Sequence, residues 1–143
     1  MQRIVLLIDD MISGEAGRLG LSNEDGKVEF GFDGGRDLVL VDALGTLDEC
    51  RFSYRGLPVS KEIARIHYRG TDWHRDTEEA KKKGLVDWKS LVKSSPEPLP
   101  PQLARAISQL YQAYANELAR RQWFDVPPLA EVLSSIERTL GQR

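Results

Sequence analysis

The sequence predicts an α+β domain in which an antiparallel, hairpin-centred sheet packs one apolar face against amphipathic helices. Three observations carry that reading. In "DGKVEFGFDGGRDLVLVD" (residues 25–42) two β-rich runs flank Asp33-Gly34-Gly35-Arg36, and Gly-Gly between such runs signals a hairpin because both central positions tolerate positive φ. Behind Pro101, the residues Leu103, Ile107, Leu110, Tyr114 and Leu118 recur at three- and four-residue intervals, which predicts an amphipathic helix over 102–122. The closing run "PPLAEVLSSIERTLGQR" turns Leu129, Val132, Leu133, Ile136 and Leu140 to one side of a final helix.

The remaining elements follow in chain order. Ile4, Leu7, Ile8, Met11, Ile12, Ala16 and Leu19 form one stripe of a helix over 4–19, although "RIVLLI" alone also suits a buried strand. "SKEIARIHYR" opens with Ser60 as a capping residue and carries Ile63 and Ile66 at helical spacing. "DTEEAKKKG" reads as a solvated helical turn closed by Gly84. Residues 94–101 are a proline-rich connection that cannot continue a helix, so a linker or surface strap is expected there. Trp88 and Trp123 are expected to bury against the helical side, and Trp73 to anchor a small apolar cluster. His67 and His74 flank the helix-interrupting pair Gly70-Thr71 and do not have the spacing of metal ligands on one helix.

At 143 residues the chain has the size of one domain, read as 1–143 throughout. An apolar fraction of 41% with 29% charged residues describes a soluble globular protein. A net charge of −2 gives no basic face for nucleic acid. The single cysteine, Cys50, cannot form an internal disulfide, which is compatible with a reducing, cytoplasmic setting. The N-terminal apolar run is five residues long and is followed by Asp9 and Asp10, so neither a membrane span nor a targeting segment is expected.

A turn centred on Gly34-Gly35 would set Lys27 opposite Asp42 and Glu29 opposite Leu40. Lys27, Glu29 and Asp42 would then share one face, and Val28, Phe30, Phe32, Val39 and Val41 the other. Two readings stand for the charged face. It is either the wet side of a half-exposed hairpin, or two carboxylates and an ammonium gathered as they would be to hold Mg²⁺ beside phosphates. Leu38 and Leu40 fall on that same side, which argues that something covers it. "ALGTLDECRF" then sets Thr46, Asp48 and Arg51 in a turn. Lys61 and Arg65 lie one helical turn apart, as an anion clamp or as an exposed face with Glu62 as local partner.

Taken in order, these segments resemble the phosphoribosylaminoimidazole-succinocarboxamide synthase (SAICAR synthetase) family. "GLSNEDGKVEFGFD" fits its Gly-Leu-x-x-x-Asp-x-Lys-x-Glu-Phe-Gly stretch, and "LVDALGTLDECRF" its following strand and Thr-x-Asp-x-x-Arg-Phe turn. "SKEIAR" fits its Lys-x-x-x-Arg helix, and "LPPQLARAISQLYQAYANELARRQW" is similar to its late helix. "DALGTLDECRF" followed by "VSKEI" is most similar to archaeal-type members. The resemblance implies the C-terminal lobe of a ligase that joins L-aspartate to carboxyaminoimidazole ribonucleotide in purine biosynthesis. In that family ATP phosphorylates the imidazole carboxylate, the aspartate amine attacks the acyl phosphate, and ADP and phosphate leave. By resemblance, Glu29 and Asp42 bind Mg²⁺ and the ATP phosphates with Lys27 beside them, while Asp48, Arg51, Lys61 and Arg65 bind ribonucleotide and aspartate. Cys50 has no role in such chemistry. Two departures stand out. "VDA" replaces the Asp-Glu that ends the second strand in many members, and no segment resembles the N-terminal ATP-binding lobe. The resemblance therefore implies a separate N-terminal lobe chain as partner, or a homo-oligomer that covers the open face. The alternative is a non-catalytic ligand-binding or subunit-interaction paralogue without the nucleotide lid.

Overall fold

The computed structural model describes residues 2–141, so Met1 and the last two residues of the final predicted run lie outside the described residues. In chain order it contains α1 (Gln2–Arg18), β1 (Ser22–Gly26), β2 (Phe30–Phe32), β3 (Leu38–Leu40), β4 (Cys50–Tyr54), β5 (Leu57–Pro58), α2 (Glu62–Tyr68) and α3 (Asp72–Lys82). A short 3-10 turn (Trp88–Leu91), α4 (Pro101–Leu118) and α5 (Leu129–Gly141) complete it. This is an α+β arrangement of small antiparallel sheets and amphipathic helices.

The sheet that meets the helices is not the Gly-Gly hairpin. It is a three-stranded antiparallel sheet in the order β1-β4-β5. Its side chains Cys50 and Phe52 join one hydrophobic cluster with Ile12 and Ala16 of α1, Leu103, Leu110 and Tyr114 of α4, and Leu133 and Ile136 of α5. Each fully buried Leu, Ile or Phe there contributes roughly 1.5–3 kcal/mol. At the β1–β4 crossing, Gly26 faces Cys50 so closely that an added Cβ would lie 2.9 Å from Sγ, a place only glycine fits.

The predicted hairpin exists, as β2 paired with β3, but its register is displaced by one residue. Phe30 faces Leu40, Gly31 faces Val39 and Phe32 faces Leu38. The cause is the loop. Asp33 N–H donates to the Asp37 carbonyl at 3.1 Å, Arg36 N–H donates to the Asp33 carbonyl at 3.0 Å, and Arg36 takes φ 66°. That is a three-residue loop with a left-handed last residue, not a two-residue Gly-Gly turn. Asp33 Oδ1 fixes it by accepting from Gly35 N and Asp37 N, both at 2.9 Å. Because strand faces alternate with period two, the slip moves Leu38 and Leu40 to the side of Phe30 and Phe32, and Val39 and Val41 away from them. The expected Val28/Phe30/Val39/Val41 face packed on helix 102–122 is thus corrected. None of these four enters the core cluster, and Phe32 and Val41 are 69% and 59% exposed.

The helices follow their sequence signals with adjusted ends. In α1 the helix forms but only Ile12 and Ala16 of the stripe are buried, while Ile4, Leu7 and Met11 stay exposed. The "DTEEA" stretch is part of a full helix, α3, whose N-cap Thr71 accepts from His74 N at 3.3 Å and whose end is turned by Gly84 at φ 67°. Residues 94–101 form a strap, held where Tyr68 OH donates to the Glu97 carbonyl at 2.7 Å and Ser94 Oγ donates to Asp76 at 2.5 Å. Helix α4 stops four residues short of 122. Asn116 Oδ1 accepts from Trp123 N at 2.8 Å and Phe124 N at 3.1 Å and turns the chain outward, so Trp123 is exposed and not buried as expected. Trp88 is half-buried beneath Lys81 and Lys89, with the ammonium groups 5.3 and 5.9 Å from the ring centroid.

Candidate functional site

The run read as one strand, 25–32, is divided between the two sheets, and Lys27-Val28-Glu29 is the crossing. Lys27 N–H donates to the Glu49 carbonyl at 2.9 Å, on the side of β4, and the Glu29 carbonyl accepts from Val41 N at 3.1 Å, on the side of the hairpin. Side chains from both sheets converge at this seam. Lys27 Nζ lies 2.5 Å from Glu29 Oε1, 3.4 Å from Glu49 Oε2 and 3.7 Å from Asp42 Oδ2. Lys27, Glu29 and Asp42 are therefore together, as the sequence suggested, but by the crossing between sheets and not by cross-strand pairing. Hydrogen bonds to Glu29 and Glu49 raise the Lys27 pKa, so its ammonium persists at neutral pH. Asp42 is oriented by accepting from the next N–H, that of Ala43, at 2.7 Å.

Beside the seam runs an open groove of about 450 Å³ lined by Asp25, Lys27, Asp48, Glu49, Arg51, Lys61 and Arg65, with Gly26 and Ser60. The sequence builds it from three pieces. On the β1–β4 pair, Asp25 and Arg51 are cross-strand partners joined through two guanidinium nitrogens, and the Arg51 hydrogen bond holds the Asp25 carboxyl below its ordinary range. In the turn before β4, Thr46 Oγ1 accepts from Glu49 N at 3.2 Å and the Thr46 carbonyl from Cys50 N at 2.9 Å, which points Asp48 and Glu49 outward. From α2 and its cap, Lys61 Nζ donates to the Asp48 carbonyl at 2.6 Å, and Arg65 pairs with Glu62 at 3.2 Å. All four residues expected to bind substrate line this groove; Glu29 and Asp42 sit behind its Lys27 end.

Three participants escaped the sequence reading. Asp25 and Glu49 lie inside the quoted motifs as neighbours of residues that were singled out. Ser60, expected as the capping residue, is nearly inaccessible, stands one residue before the N-cap Lys61 and accepts from Glu62 N at 3.2 Å. Tyr111 of α4 donates to Asp48 Oδ1 at 2.8 Å across 63 residues of chain, a contact with no local signal. Burial and the Asp48 bond raise the Tyr111 pKa and keep it a neutral donor. Cys50, by contrast, is packed and inert: burial pushes its thiol pKa up.

Glu29 and Asp42 are hard oxygen donors turned towards a common cation, in the number that magnesium takes from protein when phosphate oxygens and water complete its shell. The donor set fits such an ion. Among the described residues, no group of three or more His, Cys, Asp or Glu is placed to hold a metal by protein ligands alone. No helix among them is long and apolar enough to cross a membrane.

Known proteins place this geometry in context. A phosphoribosylaminoimidazole-succinocarboxamide synthase of Thermoplasma acidophilum is 32% identical over 130 residues, 86% of this chain and 42% of its own length. A protein of Archaeoglobus fulgidus that carries the same name provisionally is 42% identical over 140 residues, 98% of this chain and 41% of its own. The chain thus spans about two fifths of the length of the curated relatives it matches. A solved structure described as SAICAR synthetase (Type-2) in complex with ADP superposes with a TM-score of 0.43 at 25% identity, over 68% of this chain and 38% of that one. No protein-family model matches the chain.

Proposed function

We propose that the chain, similar to phosphoribosylaminoimidazole-succinocarboxamide synthases over 86–98% of its own length, is the C-terminal portion of an ATP-dependent carbon–nitrogen ligase of purine biosynthesis, working in the cytoplasm. The observation that carries the reading is the meeting of an acidic seam, Glu29, Asp42 and Glu49 around Lys27, with a groove that presents Arg51, Lys61 and Arg65.

The demands of the reaction are positioning and charge neutralisation, since an acyl phosphate must form and be attacked by an amine. Glu29 and Asp42 would hold magnesium, which when bound would neutralise the ATP phosphates. Lys27 orients those two carboxylates in the resting chain and offers its ammonium to a phosphate oxygen when they turn away. The groove guanidinium and ammonium groups receive the anionic ends of carboxyaminoimidazole ribonucleotide and L-aspartate, arginine suiting carboxylate and phosphate alike because its fork is planar. Tyr111 and Lys61 hold the Asp48 turn from two sides, which keeps the groove floor in place. ATP needs an opposite wall, and the portion of the relatives that this chain does not span is the source of it.

The test is reconstitution. The chain is mixed with the complementary portion of the Archaeoglobus relative, and ATP-dependent ligation of aspartate is followed. Turnover is expected only with both polypeptides, and Asp42→Asn is expected to lower it at least about 100-fold with the circular dichroism unchanged. A folded mixture that binds the ribonucleotide but never consumes ATP overturns the ligase and leaves the binding paralogue.

A further inference from the structure

Two open cavities lie along helices α4 and α5 and share Pro127 in their walls, so that together they form one elongated groove. One, of about 620 Å³, is lined by Arg18, Arg120 and Arg121, and the other, of about 550 Å³, by Arg55 and Arg138. None of these residues belongs to the Lys27 seam or to the groove beside it. The chain's net charge of −2 conceals five guanidinium groups gathered on this one stretch of surface.

Their compensation is incomplete. Arg18 and Arg120 share a single carboxylate, Glu15, at 2.8 and 3.5 Å. Glu117, in the first lining, is already engaged, since its Oε1 accepts from Leu129 N at 2.7 Å where α5 begins. In the second lining Glu131 stands against two arginines. Arg55, Arg121 and Arg138 have no carboxylate partner among the described residues. Arg55 lies over the Tyr54 ring at 5.0 Å, Arg121 over Trp123 at 5.8 Å, and Arg138 Nε donates to the Ser134 carbonyl at 3.2 Å. Five arginines against three glutamates leave the groove positive within a negative chain.

Two of the arginines are held at a backbone cost. Arg55 and Arg120 both take φ 51°, the left-handed region, where glycine is the unstrained choice and another residue costs about 1 kcal/mol. Arg36 at the hairpin tip is the one other non-glycine residue of this kind among those described. Strained positions of this sort cluster where side chains meet ligands. The wall is also set in advance. Asn116 pins the loop that leads to Pro127, accepting from Trp123 N and Phe124 N and donating to the Phe124 carbonyl at 2.8 Å, so little ordering remains to be done on binding.

We infer that this groove docks an extended acidic segment of a different polypeptide, with its carboxylates received by Arg55 and Arg138 in one cavity and by Arg18, Arg120 and Arg121 in the other. Division of the guanidinium groups between two joined cavities favours a segment over a small anion, and the planar fork of arginine matches a carboxylate. Gln109 and Ser135, in the second lining, have side chains without partners among the described residues and suit the main chain of such a segment. A nucleic acid strand would stack its bases on aromatic faces, but the rings of Tyr54 and Trp123 carry Arg55 and Arg121 instead. The docking surface stands apart from the ligase reading and does not depend on it.

The probe is a fluorescein-labelled oligoglutamate, titrated with the full chain and followed by anisotropy. Saturable binding is expected, weakened about threefold by Arg55→Gly or Arg120→Gly alone and about tenfold by the two together. Both glycine variants should melt at the same temperature as the parent or higher, because the left-handed strain is relieved. Lys82→Gln with Lys83→Gln, in the exposed basic run at the end of α3, should leave binding as before. Absence of saturable binding overturns the site, and so does an equal loss in the lysine variant, which would reduce the effect to net charge. Tighter binding of an oligothymidylate of equal charge would give the groove to nucleic acid, and self-association that the glycine variants abolish would give it to a second copy; either overturns the inference. Glycine variants that melt lower and bind as before would make the two arginines structural and overturn it as well.

Discussion

The β1-β4-β5 sheet, of strands SNEDG, CRFSY and LP, is more polar in sequence than the β2–β3 hairpin, of strands FGF and LVL, and yet it is the one that enters the core. Phe52 and Cys50 of the first are sealed between α1, α4 and α5, whereas Phe32, Val39 and Val41 of the second face outward. Local apolarity does not decide this; partners distant in sequence do. Phe52 meets Tyr114 at 5.9 Å between ring centroids, across 62 positions, and it is that reach that makes a strand part of the core. The hairpin has two strands of three residues and, among the described residues, no helix packed extensively upon it, too little to cover its own apolar side chains.

The contrast is broken most severely by truncation. Ile136→Ala is expected to cost roughly 2–5 kcal/mol, and Phe32→Ser less than about 0.5 kcal/mol, in urea unfolding of the same chain; equal losses would make the hairpin part of the cooperative core. A middle-sized effect compares two tyrosines of one helix. Tyr114 OH donates to the Gly45 carbonyl at 2.5 Å inside the core, and burial pushes its pKa up to about 12, whereas Tyr111 reaches the more exposed Asp48. Tyr114→Phe strands a buried carbonyl and should cost about 1–3 kcal/mol, while Tyr111→Phe should cost less and instead loosen the groove, read as faster amide exchange at Asp48 and Glu49. The smallest effect tests whether the two regions unfold together. Arg36→Gly relieves a left-handed arginine worth about 1 kcal/mol, partly offset by glycine's added freedom. Slower exchange of the Val41 amide at an unchanged global midpoint is expected, and a raised midpoint would tie hairpin to core.

Much of this was legible before any fold was known, for identifiable reasons. Helices α4 and α5 are announced by apolar spacing that nothing competes with, and Pro101 marks where α4 begins. The chemical groups were legible because the motifs carry them: Lys27, Glu29, Asp42, Asp48, Arg51, Lys61 and Arg65 lie at one seam and one groove. What failed was geometry set by single residues. Asp33 accepting two N–H groups lengthened the turn by one residue, and that alone reversed the faces of β3. Asn116 ended α4 early and turned Trp123 to solvent. Tyr111 was invisible because its bond to Asp48 is purely tertiary. The exposed half of α1 follows from the same limit: a stripe predicts that a helix can be covered, not that a cover is present.

The tip of the hairpin carries a consequence for how such a surface changes over generations. A loop of three residues in place of two decides which side chains β3 displays, because every neighbour along a strand points the other way. One inserted or deleted residue at 33–37 would exchange Leu38 and Leu40 for Val39 and Val41 as the side matched to Phe30. Nothing in the core cluster would be touched. The hairpin is therefore a place where descent can repaint a whole face by editing a turn, at little risk to the fold that bears it.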